Sequence, residues 1–297
     1  MYFPVADIEV SPWLPPLVAF SISLFTSMGG VSGAFMLLPF QVSILGFNTP
    51  AVSATNHLFN IVAIPSGVYR YIKEGRMVWP LTWAVVIGTL PGVFIGSFVR
   101  VQYLPDPASF KKFAALVLLY IGIRLIRDMF NRPPVPAAKI PGKTPAQTEK
   151  VFDQKFNLQK ISFSFKGEKF QVATVPIMGM SLTVGMIGGV YGIGGGAIIA
   201  PFFVSFFGLP VYTVAGAALM GTLITSVAGV LFFQVIAPFY PDMVITPDWQ
   251  LGLLFGIGGS AGMYCGARLQ RLFPAVYIKS ILAFTLLFTA IRYLGIL

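Results

Sequence analysis

The sequence predicts an all-α polytopic membrane protein built from two inverted structural repeats. Three observations predict it. The 297-residue chain is 56% hydrophobic and only 10% charged, where a soluble domain carries about 25% charged residues. A glycine-dense stretch, Gly188-Gly189-Val190-Tyr191-Gly192-Ile193-Gly194-Gly195-Gly196 followed by Pro201, interrupts apolar sequence where a helix would otherwise continue. The chain also reads twice, and its basic turns agree in sidedness only if the two readings are inverted.

The first repeat, residues 1–129, holds apolar runs at 13–32, 34–46, 51–71, 77–99 and 108–126. The second, residues 174–297, holds runs at 174–192, 195–209, 211–237, 249–267 and 275–297. Several approach the ~20 residues a helix needs to span hydrocarbon. The runs at 34–46 and 195–209 are short, so each repeat is expected as about five segments with a glycine-joined broken or re-entrant pair. Asp7 and Glu9 make the N-terminus acidic where a cleavable signal would be basic. The lone Cys265 reads as a packing residue, with no disulfide framework.

Between the repeats, residues 130–173 form a basic linker expected to be cytoplasmic. Residues 131–173 carry Arg132, Lys139, Lys143, Lys150, Lys155, Lys160, Lys166 and Lys169 against Glu149, Asp153 and Glu168. Within it, Ile161-Ser162-Phe163-Ser164-Phe165 alternates, Lys166-Gly167-Glu168-Lys169 signals a turn, and Phe170-Gln171-Val172 resumes: a β-hairpin pattern. The net charge of +10 lies in loops and helix ends, which excludes nucleic acid as the partner and leaves the lipid bilayer.

The internal repeat pairs Gly29-Gly30-Val31-Ser32-Gly33 with Gly188-Gly189-Val190-Tyr191-Gly192. After a gap in the first copy, Leu37-Leu38-Pro39-Phe40 pairs with Ile199-Ala200-Pro201-Phe202. Gly88, Gly92 and Gly96 match Gly258, Gly262 and Gly266, on one helix face each, where another helix can approach closely. The turn at Arg70, Lys73 and Arg76, the linker, and the turn at Arg268, Arg271 and Lys279 belong inside. Asp7, Glu9, Asp242 and Asp248 belong outside. Five segments per repeat satisfy both, at the cost of leaving Arg100, Lys111 and Lys112 outside.

Non-helical backbone at membrane depth is tolerated only where protein buries it or a polar cavity accepts it, and broken helices carry substrate sites in carriers. Gly194, Gly195 and Gly196 precede an apolar helix, so their N–H groups could face an anion with help from the helix dipole. Asn56, His57 and Asn60 lie in one apolar run; Asn60 aligns with Thr222, and Thr225 and Ser226 follow one turn later. Polar side chains inside a membrane face the bundle interior or a water-filled cavity. These are neutral donors suited to an oxyanion. No acidic residue lies deep in an apolar run, which argues against a cation pump, and no metal or cofactor site is expected. Arg100, Arg124, Arg268 and Arg292 sit near run ends and read as interfacial anchors.

At Gly188 to Pro201 the sequence resembles the sulfite exporter TauE/SafE family, membrane carriers with two homologous halves linked to sulfite, sulfoacetate and other sulfur-containing anions. The resemblance covers residues 13–127 and 174–297. The family's Gly-x-Gly-Gly-Gly is kept in the second half and degenerate in the first, where Ser32 and Gly33 stand. It implies a secondary transporter of a small sulfur-containing anion (sulfite, thiosulfate or a small sulfonate) in the cell inner membrane. The candidate substrate site read from the residues above comprises Ser32, Gly33, Asn56, His57, Asn60, Gly194, Gly195, Gly196, Thr222, Thr225 and Ser226; coupling to a proton or sodium is left open. A passive anion channel would use the same residues. An intramembrane serine protease is the third reading, from Gly30-Val31-Ser32-Gly33 with His57, though the repeat pairs Ser32 with Tyr191 and so favours an architectural motif. The chain is otherwise not expected to be an enzyme: it has no Walker lysine, and Gly192-Ile193-Gly194-Gly195-Gly196-Ala197 lacks the βαβ context of a dinucleotide site.

Overall fold

A computed structural model describes residues 1–28, 32–130, 150–196, 198–269 and 275–295. Gly29-Gly30-Val31, the linker through Glu149, and Arg271 lie outside the described residues. The chain runs β1 (Tyr2–Phe3), β2 (Ile8–Glu9), α1 (Leu14–Met28), α2 (Ala34–Ser43), α3 (Ala51–Ala63), α4 (Pro65–Lys73), α5 (Trp79–Gln102) and α6 (Pro107–Phe130). It continues β3 (Val151–Phe156), β4 (Lys160–Phe165), β5 (Glu168–Ala173), α7 (Thr174–Tyr191), α8 (Ile199–Phe207), α9 (Val211–Ile236), α10 (Trp249–Leu269) and α11 (Ala275–Tyr293).

Among the described residues, Trp79–Gln102, Thr174–Tyr191 and Thr213–Phe239 are long and apolar enough to cross a membrane, with mean hydropathies of 1.8, 1.4 and 2.0. At 1.5 Å per residue, α2 and α8 reach only about 15 Å, half of the ~30 Å hydrocarbon core. Neither helix alone is long enough to span it. The run at 51–71 is not one helix. Pro65 lacks an N–H to continue the ladder and instead starts α4 at its first turn.

Every major helix contact joins one half to the other. α1 lies along α10 and α7 along α5; α5 and α10 also pack on α9 and α3, α3 meets α9, and α6 meets α11. The glycine rows make the first two pairings possible. A Cβ on Gly88, Gly92 or Gly96 would lie 2.8, 2.3 or 2.1 Å from the carbonyl oxygen of Met178, Leu182 or Met186. On Gly258, Gly262 or Gly266 it would lie 2.0, 2.3 or 2.3 Å from that of Pro16, Phe20 or Leu24. Any side chain would force the helices apart.

Met178 and Pro16, Leu182 and Phe20, and Met186 and Leu24, which take similar places in the two pairings, each lie 162 positions apart, as do Pro201 and Pro39. On that spacing Ser32 falls on Gly194 and Gly33 on Gly195, whereas the glycine-string match sets Ser32 against Tyr191.

The hairpin pattern in the linker is present as β4 and β5, paired antiparallel from Lys160↔Ala173 to Phe165↔Glu168 around Lys166-Gly167. A third strand, β3, joins β4 with a bulge between Phe152 and Lys155. The sheet buries Ile161, Phe163 and Phe165. It is tied to the α4–α5 turn: the Val151 N–H donates to Gly75 O (3.0 Å), Gln154 Nε2 to Met77 O (3.1 Å) and the Trp79 N–H to Gln154 Oε1 (2.8 Å). Other bonds gather the acidic segments. Asp248 caps α10 through the Leu251 N–H (2.9 Å) and accepts the Ala6 N–H of the β1–β2 turn (3.3 Å), while its own N–H donates to Thr55 Oγ1 at the start of α3 (2.9 Å).

Candidate functional site

The polar residues of α3 are spaced so that Ser53, Asn56, His57 and Asn60 face the bundle interior, and all four are fully buried. Buried polar groups need partners, and these find theirs on both halves. Asn60 Nδ2 donates to Ile193 O in the second-half glycine segment (3.0 Å) and to Ser226 Oγ on α9 (3.3 Å). Asn60 Oδ1 accepts from Ser32 Oγ (2.9 Å), which in turn accepts the Ala34 N–H (3.3 Å) at the start of α2. His57 Nδ1 lies 3.3 Å from Ser226 Oγ. A continuous chain Ser32–Asn60–Ser226–His57 therefore crosses from the first-half helix break to the second-half helix α9.

The other expected site residues surround that chain. Asn56 donates to Ala34 O (3.0 Å) and accepts from Gln41 Nε2 (3.4 Å), so it holds α2 against α3. Thr225 Oγ1 accepts the Gly195 N–H (3.0 Å) and donates to Gly221 O (2.6 Å). Thr222 Oγ1 donates to Ala218 O of its own helix (2.9 Å). The side chain facing Asn60 is thus Ser226, one turn beyond Thr222, the position that the repeat alignment singled out. Because Asn60 reaches across the interface rather than along it, strict equivalence of positions does not predict contact.

Gly194, Gly195 and Gly196 are needed for packing. A Cβ on Gly194 would lie 2.9 Å from Ser226 Oγ, on Gly195 2.4 Å from Thr89 Cβ, and on Gly196 1.9 Å from Ala218 O. The positions that side chains would take there are filled by α9 and α5. Gly192 ends α7 with φ +77, where a Cβ would stand 2.4 Å from Ser53 O. Only glycine serves there. Gly33 is looser, its nearest neighbour being the side chain of Ser23, 2.9 Å from a Cβ.

Sequence reasoning missed several partners. Ser53 Oγ donates to Val190 O (3.1 Å) and Tyr191 OH to Phe35 O (3.1 Å), so the second-half glycine segment is fastened to α3 and α2. Ser53 stands seven residues before Asn60, two turns away on the same face, a spacing that the sequence did offer. Arg100, expected as an interfacial anchor, is fully buried instead. Its position at the end of an apolar run was legible, but the neighbours that cover it come from Phe110 and α3.

Two chemical readings can be weighed on this geometry. The protease reading needs a histidine to take the proton of Ser32, within hydrogen-bond reach. His57 instead bonds Ser226, and Ser32 bonds Asn60. The alternative is a set of neutral hydroxyl and amide donors contributed by both halves around two helix breaks, as a carrier requires. Among the described residues no cluster of His, Cys, Asp or Glu could hold a metal.

Neither a curated protein nor a solved structure matches the chain significantly. The sequence profile described as Sulfite exporter TauE/SafE matches residues 16–293, nearly the whole length and both halves. The protein, an integral membrane protein by its apolar helices, therefore belongs to the sulfite exporter TauE/SafE family, a family of membrane transporters.

Proposed function

We propose that the protein is a secondary carrier that exports a small sulfur-containing oxyanion, such as sulfite, by alternating access between two inverted halves in the cell inner membrane. One observation carries this reading: Asn60 joins Ser32 of the first helix break to Ile193 O and Ser226 of the second half. The hydrogen bonds these groups give one another are the ones an oxyanion would take over. Each is neutral, so the ion can be bound without being trapped by a fixed charge. A charge-assisted bond of this kind is worth about 1.5–3 kcal/mol. The reciprocal pairing of α1 with α10 and α7 with α5 supports a two-fold relation between the halves, since equivalent elements exchange partners; the inversion rests on the charge of the turns.

Sidedness follows from charge. The α4–α5 turn, the β3–β5 sheet tied to it, and Arg268 belong on the cytoplasmic side; the β1–β2 turn and Asp248, tied to each other, belong outside. An inward-negative potential drives anions outward, so export needs no coupling ion. The test is sulfite counterflow in proteoliposomes. Saturable, trans-stimulated flux that Asn60→Ala lowers supports the carrier; flux linear in concentration and indifferent to trans sulfite marks a channel.

A further inference from the structure

Arg100 is a fully buried cation, and among the described residues no carboxylate comes within ion-pair distance of it. Its guanidinium has five N–H donors and cannot shed its charge cheaply. Nε points at Ser53 Oγ (3.4 Å), Nη1 donates to Leu104 O just beyond the end of α5, and the guanidinium carbon lies 3.9 Å above the Phe110 ring. Each of these offers a partial charge only: a hydroxyl, a helix C-terminal carbonyl and the face of a ring. Among the described residues, Nη2 is buried with no hydrogen-bond partner. A buried charge left uncompensated is among the costliest features a fold can carry.

The position is as telling as the imbalance. Ser53 and Asn60 lie seven residues apart on one face of α3, about 10 Å along its axis. Ser53 stands toward the end where the Ala51 N–H bonds Val244 O and Asp248 meets the β1–β2 turn. The same Ser53 hydroxyl that accepts from Arg100 donates to Val190 O at the start of the second-half glycine segment. A cation at one end of a polar ladder, with neutral donors at the other, is a second stopping place for an anion.

We infer that Arg100 Nη2, steadied by Ser53, forms an oxyanion station distinct from the Asn60–Ser226 junction and lying on the acidic-turn side of it. The identity of the ion as a sulfur oxyanion rests on the carrier reading; the need for an anion at Arg100 does not. The ion supplies the missing counter-charge. Ser53 is a positioning residue that holds Nε so that Nη2 stays free for the ligand.

The test is binding of radiolabelled sulfite to the purified full-length protein in neutral detergent, by equilibrium dialysis. Wild type and Arg100→Lys are expected to bind one more ion per chain than Arg100→Gln, while Asn60→Ala keeps the Arg100 ion. Ser53→Ala is expected to weaken one binding phase by about 5-fold, the loss of one modest hydrogen bond. Arg100→Gln binding as many ions as wild type, with unchanged affinities, overturns the inference, as does a wild type that binds none. A wild type that binds a single ion, lost in Arg100→Gln and kept in Asn60→Ala, upholds this station and defeats the junction as a binding site. Should Arg100→Gln yield no folded protein, Ser53→Ala decides alone: binding identical to wild type overturns the inference.

Discussion

The residues that lead into α2 and those that lead into α8 are built from opposite materials. In the first, Ser32 presents a hydroxyl to Asn60, and Gly33 faces the side chains of Ser23 and Thr26 on α1. In the second, the corresponding positions are Gly194 and Gly195, and α7 carries Gly185 and Gly188 where α1 carries Ser23 and Thr26. Polarity there has moved to α9, as Thr222, Thr225 and Ser226. At Gly33 the neighbours are side chains; at Gly195 and Gly196 they are the Thr89 side chain and the Ala218 backbone, at shorter distances. The difference between the two segments lies in where hydroxyls sit.

That contrast can be broken by substitution. The largest expected effect is at Gly196→Ala, whose Cβ would meet Ala218 O at 1.9 Å. Backbone cannot yield there as a side chain can, so a loss of about 3 kcal/mol or more, or no folded protein, is expected. Gly33→Ala, ahead of α2, should cost about 1 kcal/mol or less, because the Ser23 side chain can change rotamer. Thermal melting of both purified variants, side by side, checks the pair. Equal losses would mean that the two segments are equally tightly packed.

Next comes Asn60→Ala, which strips Ser32, Ile193 O and Ser226 of a shared partner. A destabilisation of about 2–3 kcal/mol is expected from the buried groups left unsatisfied, visible as a lower melting temperature. Ser32→Ala removes the bond to Asn60 and the one from the Ala34 N–H, and should cost about 1–2 kcal/mol. Thr222→Ala should be the mildest, about 0.5 kcal/mol or less, because its hydroxyl bonds only a carbonyl of its own helix. A Thr222→Ala effect as large as that of Asn60→Ala would return Thr222 to the junction.

Much of this frame was legible in the sequence. The apolar runs and the paired glycine rows are local patterns; most runs became helices, with 51–71 divided at Pro65, and the glycine rows became close helix contacts. The β4–β5 hairpin announced itself by alternation and a turn. Its third strand did not: Val151–Phe156 bonds β4 irregularly and leans on the α4–α5 turn. The break at Pro65 was readable from proline alone but was hidden by the hydrophobicity around it. Of the site, the residue types were legible and their partners were not. Which hydroxyl meets Asn60 depends on how α3 crosses α9, and the fate of Arg100 depends on Phe110 folding back over it. Those are properties of the packed bundle, and no single helix carries them.

The central claim is that one oxyanion site spans both halves at the junction of Asn60 and Ser226. Sulfite affinity of purified wild type, Asn60→Ala, Ser226→Ala and the double variant tests it most directly. Each single change should weaken one binding phase by roughly 10- to 150-fold, the range of about 1.5–3 kcal/mol for one bond to an ion. The double variant should lose clearly less than the product of the two, because both groups hold the same ion. Sulfite binding unchanged in both single variants would contradict the account, leaving the junction as a structural clasp between halves.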